Sequence, residues 1–137
     1  GERGIRMFVS LIAASRLAAN KPEELLRTSA IRAKFLEQIA MELDLDSGEL
    51  FMLGLFSLLD AMLDNSMENL VGQLPLTASV GEALVKKSGI LSPYLRLVEE
   101  YEACNWSALD DQIALLQISA DKIQEFYLNA VKVADLF

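Results

Sequence analysis

Between Leu50 and Leu63 the chain is apolar on nearly every helical face, broken only by Gly54, Ser57 and Asp60. A helix greasy all round must be enclosed by others. The run of about fourteen residues falls short of the roughly twenty needed to cross a bilayer, and it carries Asp60, so it belongs in a protein core and not in a membrane. The expected architecture is therefore a bundle assembled around a central helix over residues 48–63.

The rest of the sequence supports an all-α fold. Its 137 residues, 53% hydrophobic, suffice for one compact domain over 1–137. Pro and Gly fall mostly near helix ends, and apolar residues recur at three and four with no alternating strand pattern. Ile5, Phe8, Val9 and Ile12 give a first helix over about 4–19. Asn20-Lys-Pro22-Glu23 then opens a second, which buries Leu25, Phe35, Leu36, Ile39 and Leu43. Asp46-x-x-Glu49 starts the central helix and Asp64-Asn65 ends it. Shorter helices follow around Met67, after Ser79, after Ser92-Pro93 and after Ser107, for about eight helices in all. From Trp106 to Phe137 an unbroken three-four alternation fits either one long helix or two; Ser119 is a cap residue in mid-run, so a break at 117–119 is expected.

Charge and residue inventory narrow the function. Twelve basic residues against 20 acidic give a net charge of −8. That balance repels phosphate backbones, so nucleic acid is not an expected partner. The chain has no histidine and a single cysteine, Cys104. General-base imidazole chemistry, a Ser-His-Asp triad and histidine-held metals are excluded, as are an internal disulfide and a thiolate cage; a cytoplasmic setting fits. No glycine-rich phosphate loop is present. The acidic groups Asp44/Asp46, Glu99/Glu100/Glu102 and Asp110/Asp111 read as solvated charges near helix ends. No catalytic residue, metal or cofactor is expected. The opening Gly1-Glu-Arg-Gly-Ile-Arg, with no initiator methionine, signal core or lipidation motif, reads as a cut inside a longer protein.

A few residues stand out against this background. Gly54, Ser57 and Ala61 form a stripe of small residues that would let a second helix approach closely. Asp60, on so apolar a helix, must reach solvent or find a donor, and Arg32, interrupting Ala30-Ile-Arg-Ala33, is its candidate ion-pair partner. Trp106 heads the C-terminal seam and reads as a core anchor, with a partner-facing role as the alternative. Cys104 has no basic neighbour to activate it and reads as an inert thiol.

Several segments together carry a family resemblance: Gly1-Glu-Arg-Gly-Ile-Arg, Lys21-Pro-Glu-Glu-Leu25, Ala30-Ile-Arg-Ala-Lys-Phe35-Leu-Glu37, Phe51-Met-Leu-Gly-Leu-Phe-Ser-Leu-Leu-Asp60, Gln73-Leu-Pro-Leu-Thr77 and Ile90-Leu-Ser-Pro-Tyr94. The chain resembles HDOD domains, degenerate relatives of HD-GYP phosphohydrolases, and most closely the branch that follows EAL domains in bacterial cyclic di-GMP signalling proteins. The resemblance implies an HD-like bundle, and a chain that corresponds to the C-terminal part of such a domain. In the active relatives a Gly-Leu-Leu-His-Asp segment supplies metal ligands. Here the similar segment is Gly54-Leu55-Phe56-Ser57-Leu58, a hydroxyl and an isobutyl group in place of imidazole and carboxylate, and the Gly-Tyr-Pro signature is absent. The implied function is noncatalytic signal transduction through protein contacts, either with an adjacent EAL-type domain or with a second copy in a homodimer. The alternative is a nucleotide or metabolite sensor using a vestigial pocket at Arg32, Ser57 and Asp60.

Overall fold

A computed structural model describes residues 23–136 together with residue 9, and among them every regular element is an α-helix. The eight helices are α1 (Glu23–Glu42), α2 (Ser47–Phe56), α3 (Leu59–Leu63), α4 (Met67–Val71), α5 (Ala78–Lys86), α6 (Ser92–Glu102), α7 (Trp106–Leu116) and α8 (Ala120–Ala134). The helix expected over residues 4–19 lies, apart from residue 9, outside the described residues.

Local chemistry sets most of the boundaries. The Asp46 carboxylate accepts from the Glu49 backbone N–H at 3.1 Å and caps α2. Glu49 does not reach back to complete a capping box; its carboxylate accepts instead from the Thr77 hydroxyl at 2.6 Å, which ties the start of α2 to the start of α5. Thr77, and not Ser79, caps α5, accepting from the Val80 N–H. Helix α7 begins at Trp106, just ahead of the expected Ser107. Asp64, Lys87 and Gln117 end α3, α5 and α7 in the left-handed conformation. The break at Gln117 resolves the C-terminal ambiguity in favour of two helices, with Ser119 at the N-terminal boundary of α8.

Helix α1 is the hub. It packs chiefly on α2 and on α8, while α7 rests chiefly on α6. Helices α1 and α8 run antiparallel, for Arg27 meets Asp135 at 2.9 Å near one end and the Gln38 amide donates to the Phe126 carbonyl at 3.0 Å further along. The core draws Phe35, Leu36 and Ile39 from α1, Leu50, Leu53 and Phe56 from α2, Leu59 from α3, Leu84 from α5, Leu95 and Leu97 from α6, and Ile123 from α8, all fully buried. At roughly 1.5–3 kcal/mol per large apolar side chain, this cluster is the principal stabilising element.

The central apolar run is buried as expected, but it is not one helix over 48–63. It breaks at Ser57-Leu58, where Leu58 adopts φ −113° and ψ 14°. The Ser57 hydroxyl donates to the Gly54 carbonyl at 2.7 Å and the Ser57 N–H reaches the same oxygen at 3.3 Å. A side chain competing for a backbone acceptor in this way tightens the last turn and ends α2.

Candidate functional site

Gly54 places two helices in unusually close contact. A Cβ at this position would lie 2.5 Å from the Arg32 carbonyl carbon and 2.6 Å from the Ala33 nitrogen, so only glycine lets the α2 backbone rest against α1 here. The crossing carries the start of Arg32 past the end of α2, and its side chain, though charged, is buried.

All three nitrogens of the buried guanidinium donate. Nε donates to Glu102 Oε2 at 3.0 Å and Nη2 to Oε1 at 2.6 Å, a two-pronged pairing with the last residue of α6. Nη1 donates to Ser57 Oγ at 3.0 Å, and that hydroxyl in turn donates a hydrogen bond to the Gly54 carbonyl. One side chain of α1 thus ties the end of α2 to the end of α6. Both partners of the ion pair are largely withdrawn from water, so removing either would strand the other.

Aromatic rings wall this junction. Tyr101 and Tyr127 pack with centroids 4.5 Å apart, Phe35 meets Tyr127 edge-on at 5.6 Å, and Trp106 meets Tyr101 edge-on at 6.0 Å. Burial raises the Tyr127 phenol above its ordinary pKa, and the Glu102 carboxylate pushes the same way, so the hydroxyl stays protonated and cannot serve as a base at neutral pH.

Arg32 and Ser57, both singled out from sequence, therefore do meet. Asp60 does not join them. It lies beyond the Ser57-Leu58 break on α3, exposed, its carboxylate accepting from the Ala61 N–H at 2.9 Å, and the Arg32 partner is Glu102. Ala61 is exposed as well, so the stripe of small residues at the helix crossing ends with Ser57. Trp106 is 55% exposed and sits at the rim of the aromatic group, not at its centre, because α7 starts immediately after an exposed turn through Cys104, whose φ is +56°. Glu102 escaped the sequence reading, having been grouped with the solvated acids Glu99 and Glu100. The signal was nonetheless there: Leu95, Val98 and Glu102 follow at three and four, which puts the carboxylate on the inward stripe of α6.

Chemically, the junction offers an occupied cation, a satisfied carboxylate and a satisfied hydroxyl. Among the described residues no three His, Cys, Asp or Glu side chains gather where they could hold a metal ion. None of the described helices is long and apolar enough to cross a membrane.

Sequence comparison finds two curated relatives of the chain. Over 132 residues, 95% of the chain, it is 35% identical to a segment of the cyclic di-GMP phosphodiesterase CdgJ of Vibrio cholerae, and that segment is 31% of the relative. It is also 32% identical over 119 residues, 86% of the chain, to 29% of the uncharacterized protein YuxH of Bacillus subtilis. The chain spans about a third of the length of these curated relatives. No family model and no solved structure matches it.

Proposed function

We propose that the chain is an HDOD-like, noncatalytic regulatory module of a cyclic di-GMP signalling protein, acting through protein contacts beside an EAL-type output domain. The observation that carries this reading is the Arg32 guanidinium, 3.0 Å from the Ser57 hydroxyl and clamped by Glu102. Ser57 stands in the segment that resembles the metal-ligating segment of active HD-GYP relatives. A fixed cation bonded to that hydroxyl would repel a divalent ion at short range, where the low dielectric of the interior strengthens the repulsion. The hub that would bind metal in a hydrolase serves here as a brace between α1, α2 and α6.

Similarity to about a third of a cyclic di-GMP phosphodiesterase supports the signalling context and leaves two thirds of that relative for other domains. The sensor alternative requires a pocket around Ser57 and Asp60; Arg32 occupies the position facing Ser57 and Asp60 points to solvent, so contacts with protein are the favoured mode. The test is an assay of the purified chain against cyclic dinucleotides and simple phosphoesters, with and without manganese. No turnover above buffer is expected. Hydrolysis that scales with protein and disappears with chelator would overturn the proposal.

A further inference from the structure

Helix α7 packs chiefly on α6 and α8 on α1, and a cleft of about 310 Å³ opens between α7 and α8. Its size lies at the small end of ligand sites, roughly 300–1,000 Å³, suited to one long side chain. Trp106, Asp110 and Ile113 line it from successive turns of α7, Ile123 and Gln124 from α8, and Tyr101 from the end of α6. The lining mixes apolar and polar groups, with the rings of Tyr101 and Trp106 among them, and Asp110 is the charged group among the described lining residues. Among the described residues no lysine or arginine lines it, so none of them would supply a counter-charge to an anionic ligand such as a phosphate.

From this geometry we infer that the cleft receives an arginine side chain presented by a partner protein. The methylene stem would lie on the half-buried Ile113 and the exposed Ala120, and the guanidinium would stack on Trp106 and pair with Asp110. Three observations agree on a cationic occupant. The Trp106 ring is braced edge-on by Tyr101 while the residue remains 55% exposed, so ring surface is open to a flat cation. The carboxylate stands one helical turn from that ring on the same face. The whole chain carries a charge of −8, which steers basic partners toward it. Arginine is favoured over lysine because a planar fork can face a ring and a carboxylate together.

The inference rests on the protein-contact reading above and names the chemistry of the partner. Trp106 is the one tryptophan in the chain, so tryptophan emission comes from a residue that lines this cleft. The probe is the capped tripeptide Gly-Arg-Gly, titrated alongside the same peptide with neutral, isosteric citrulline. A saturable change in emission is expected with arginine, and about tenfold weaker binding with citrulline. Asp110→Asn should bring arginine down to the citrulline level, while the neighbouring Asp111→Asn should leave it unchanged. Equal binding of the two peptides, an unaffected Asp110→Asn variant, or no saturable change up to the solubility limit would each overturn the inference. None of these outcomes bears on whether the chain hydrolyses phosphoesters, so a failure here and a failure of the noncatalytic reading are separately visible.

Discussion

Gly54→Ala tests the helix crossing on which the Arg32 junction depends. The added methyl would meet the Arg32 carbonyl carbon at 2.5 Å and the Arg32 carbonyl oxygen at 2.6 Å, both backbone atoms that no rotamer change can move. Restoring an ordinary contact of 3.4 Å requires α1 and α2 to separate by about 0.9 Å. Overpacking of this kind costs about 1–3 kcal/mol, and the better helix propensity of alanine returns about 1 kcal/mol. The same displacement would stretch the 3.0 Å bond from Arg32 to Ser57 past useful length, removing about 1 kcal/mol more. The net expectation is a loss of about 1–3 kcal/mol, read in urea unfolding as a midpoint lowered by about 1 M with an unchanged slope. Gly72→Ala is the matched control. Gly72 ends α4 with φ −61°, and a Cβ there meets nothing closer than 3.6 Å, so that variant should be neutral or more stable by up to about 1 kcal/mol. Equal midpoints for Gly54→Ala and Gly72→Ala would refute the close-packed crossing.

Arg32→Met should cost about 3–5 kcal/mol because it leaves Glu102 half-buried without its partner, and combining it with Glu102→Leu should recover part of the loss; additive effects in the double-mutant cycle would mean the pair is not coupled. Gln117→Gly should raise stability by up to about 1 kcal/mol in thermal or urea unfolding, since Gln117 ends α7 at φ +58°, a conformation that costs a residue with a Cβ; a lower midpoint would contradict the break between α7 and α8. Burial and Glu102 raise the Tyr127 phenol above the ordinary tyrosine value of about 10, so the folded state holds its proton longer than the unfolded chain. The resulting contribution is intact below about pH 10 and stability falls as pH rises beyond it, and Tyr127→Phe should flatten that alkaline decline in denaturation midpoints measured across the range.

The elements of the fold were legible where local chemistry and periodicity pointed the same way. The Asp46-x-x-Glu49 signal placed the start of α2, the apolar stripe Phe35, Leu36 and Ile39 identified the buried face of α1, and Ser119 separated α7 from α8. Continuity of the central helix was not legible, because Ser57 within an apolar run is compatible with an unbroken helix until its hydroxyl is seen to take the Gly54 carbonyl. Similarly, Ser79 and Thr77 are both good caps, and the choice of Thr77 follows from its bond to Glu49, a contact across 28 residues that no local pattern encodes.

The junction shows how far single-element reasoning reaches. Small residues on α2 announced a close approach, and Arg32 announced a buried cation needing a partner, yet the carboxylate nearest in apolar character, Asp60, was the wrong one. A helix presents its inward face by phase, not by the company its residues keep in sequence. Asp60 shares a run with Leu58, Leu59 and Met62 but points outward once α3 turns away, whereas Glu102 follows two other acids and nevertheless sits in line with Leu95 and Val98. Burial of Arg32 then does the selecting: a guanidinium removed from water demands a carboxylate able to accept two bonds, and among its neighbours Glu102 presents both oxygens while Ser57 takes the third donor. The consequence reaches the surface, since Glu102 ends α6 and Trp106 begins α7 after a short turn. Fixing the carboxylate fixes where that ring stands, so weakening the Arg32 pair should alter Trp106 emission even though the two side chains belong to different ends of the aromatic group.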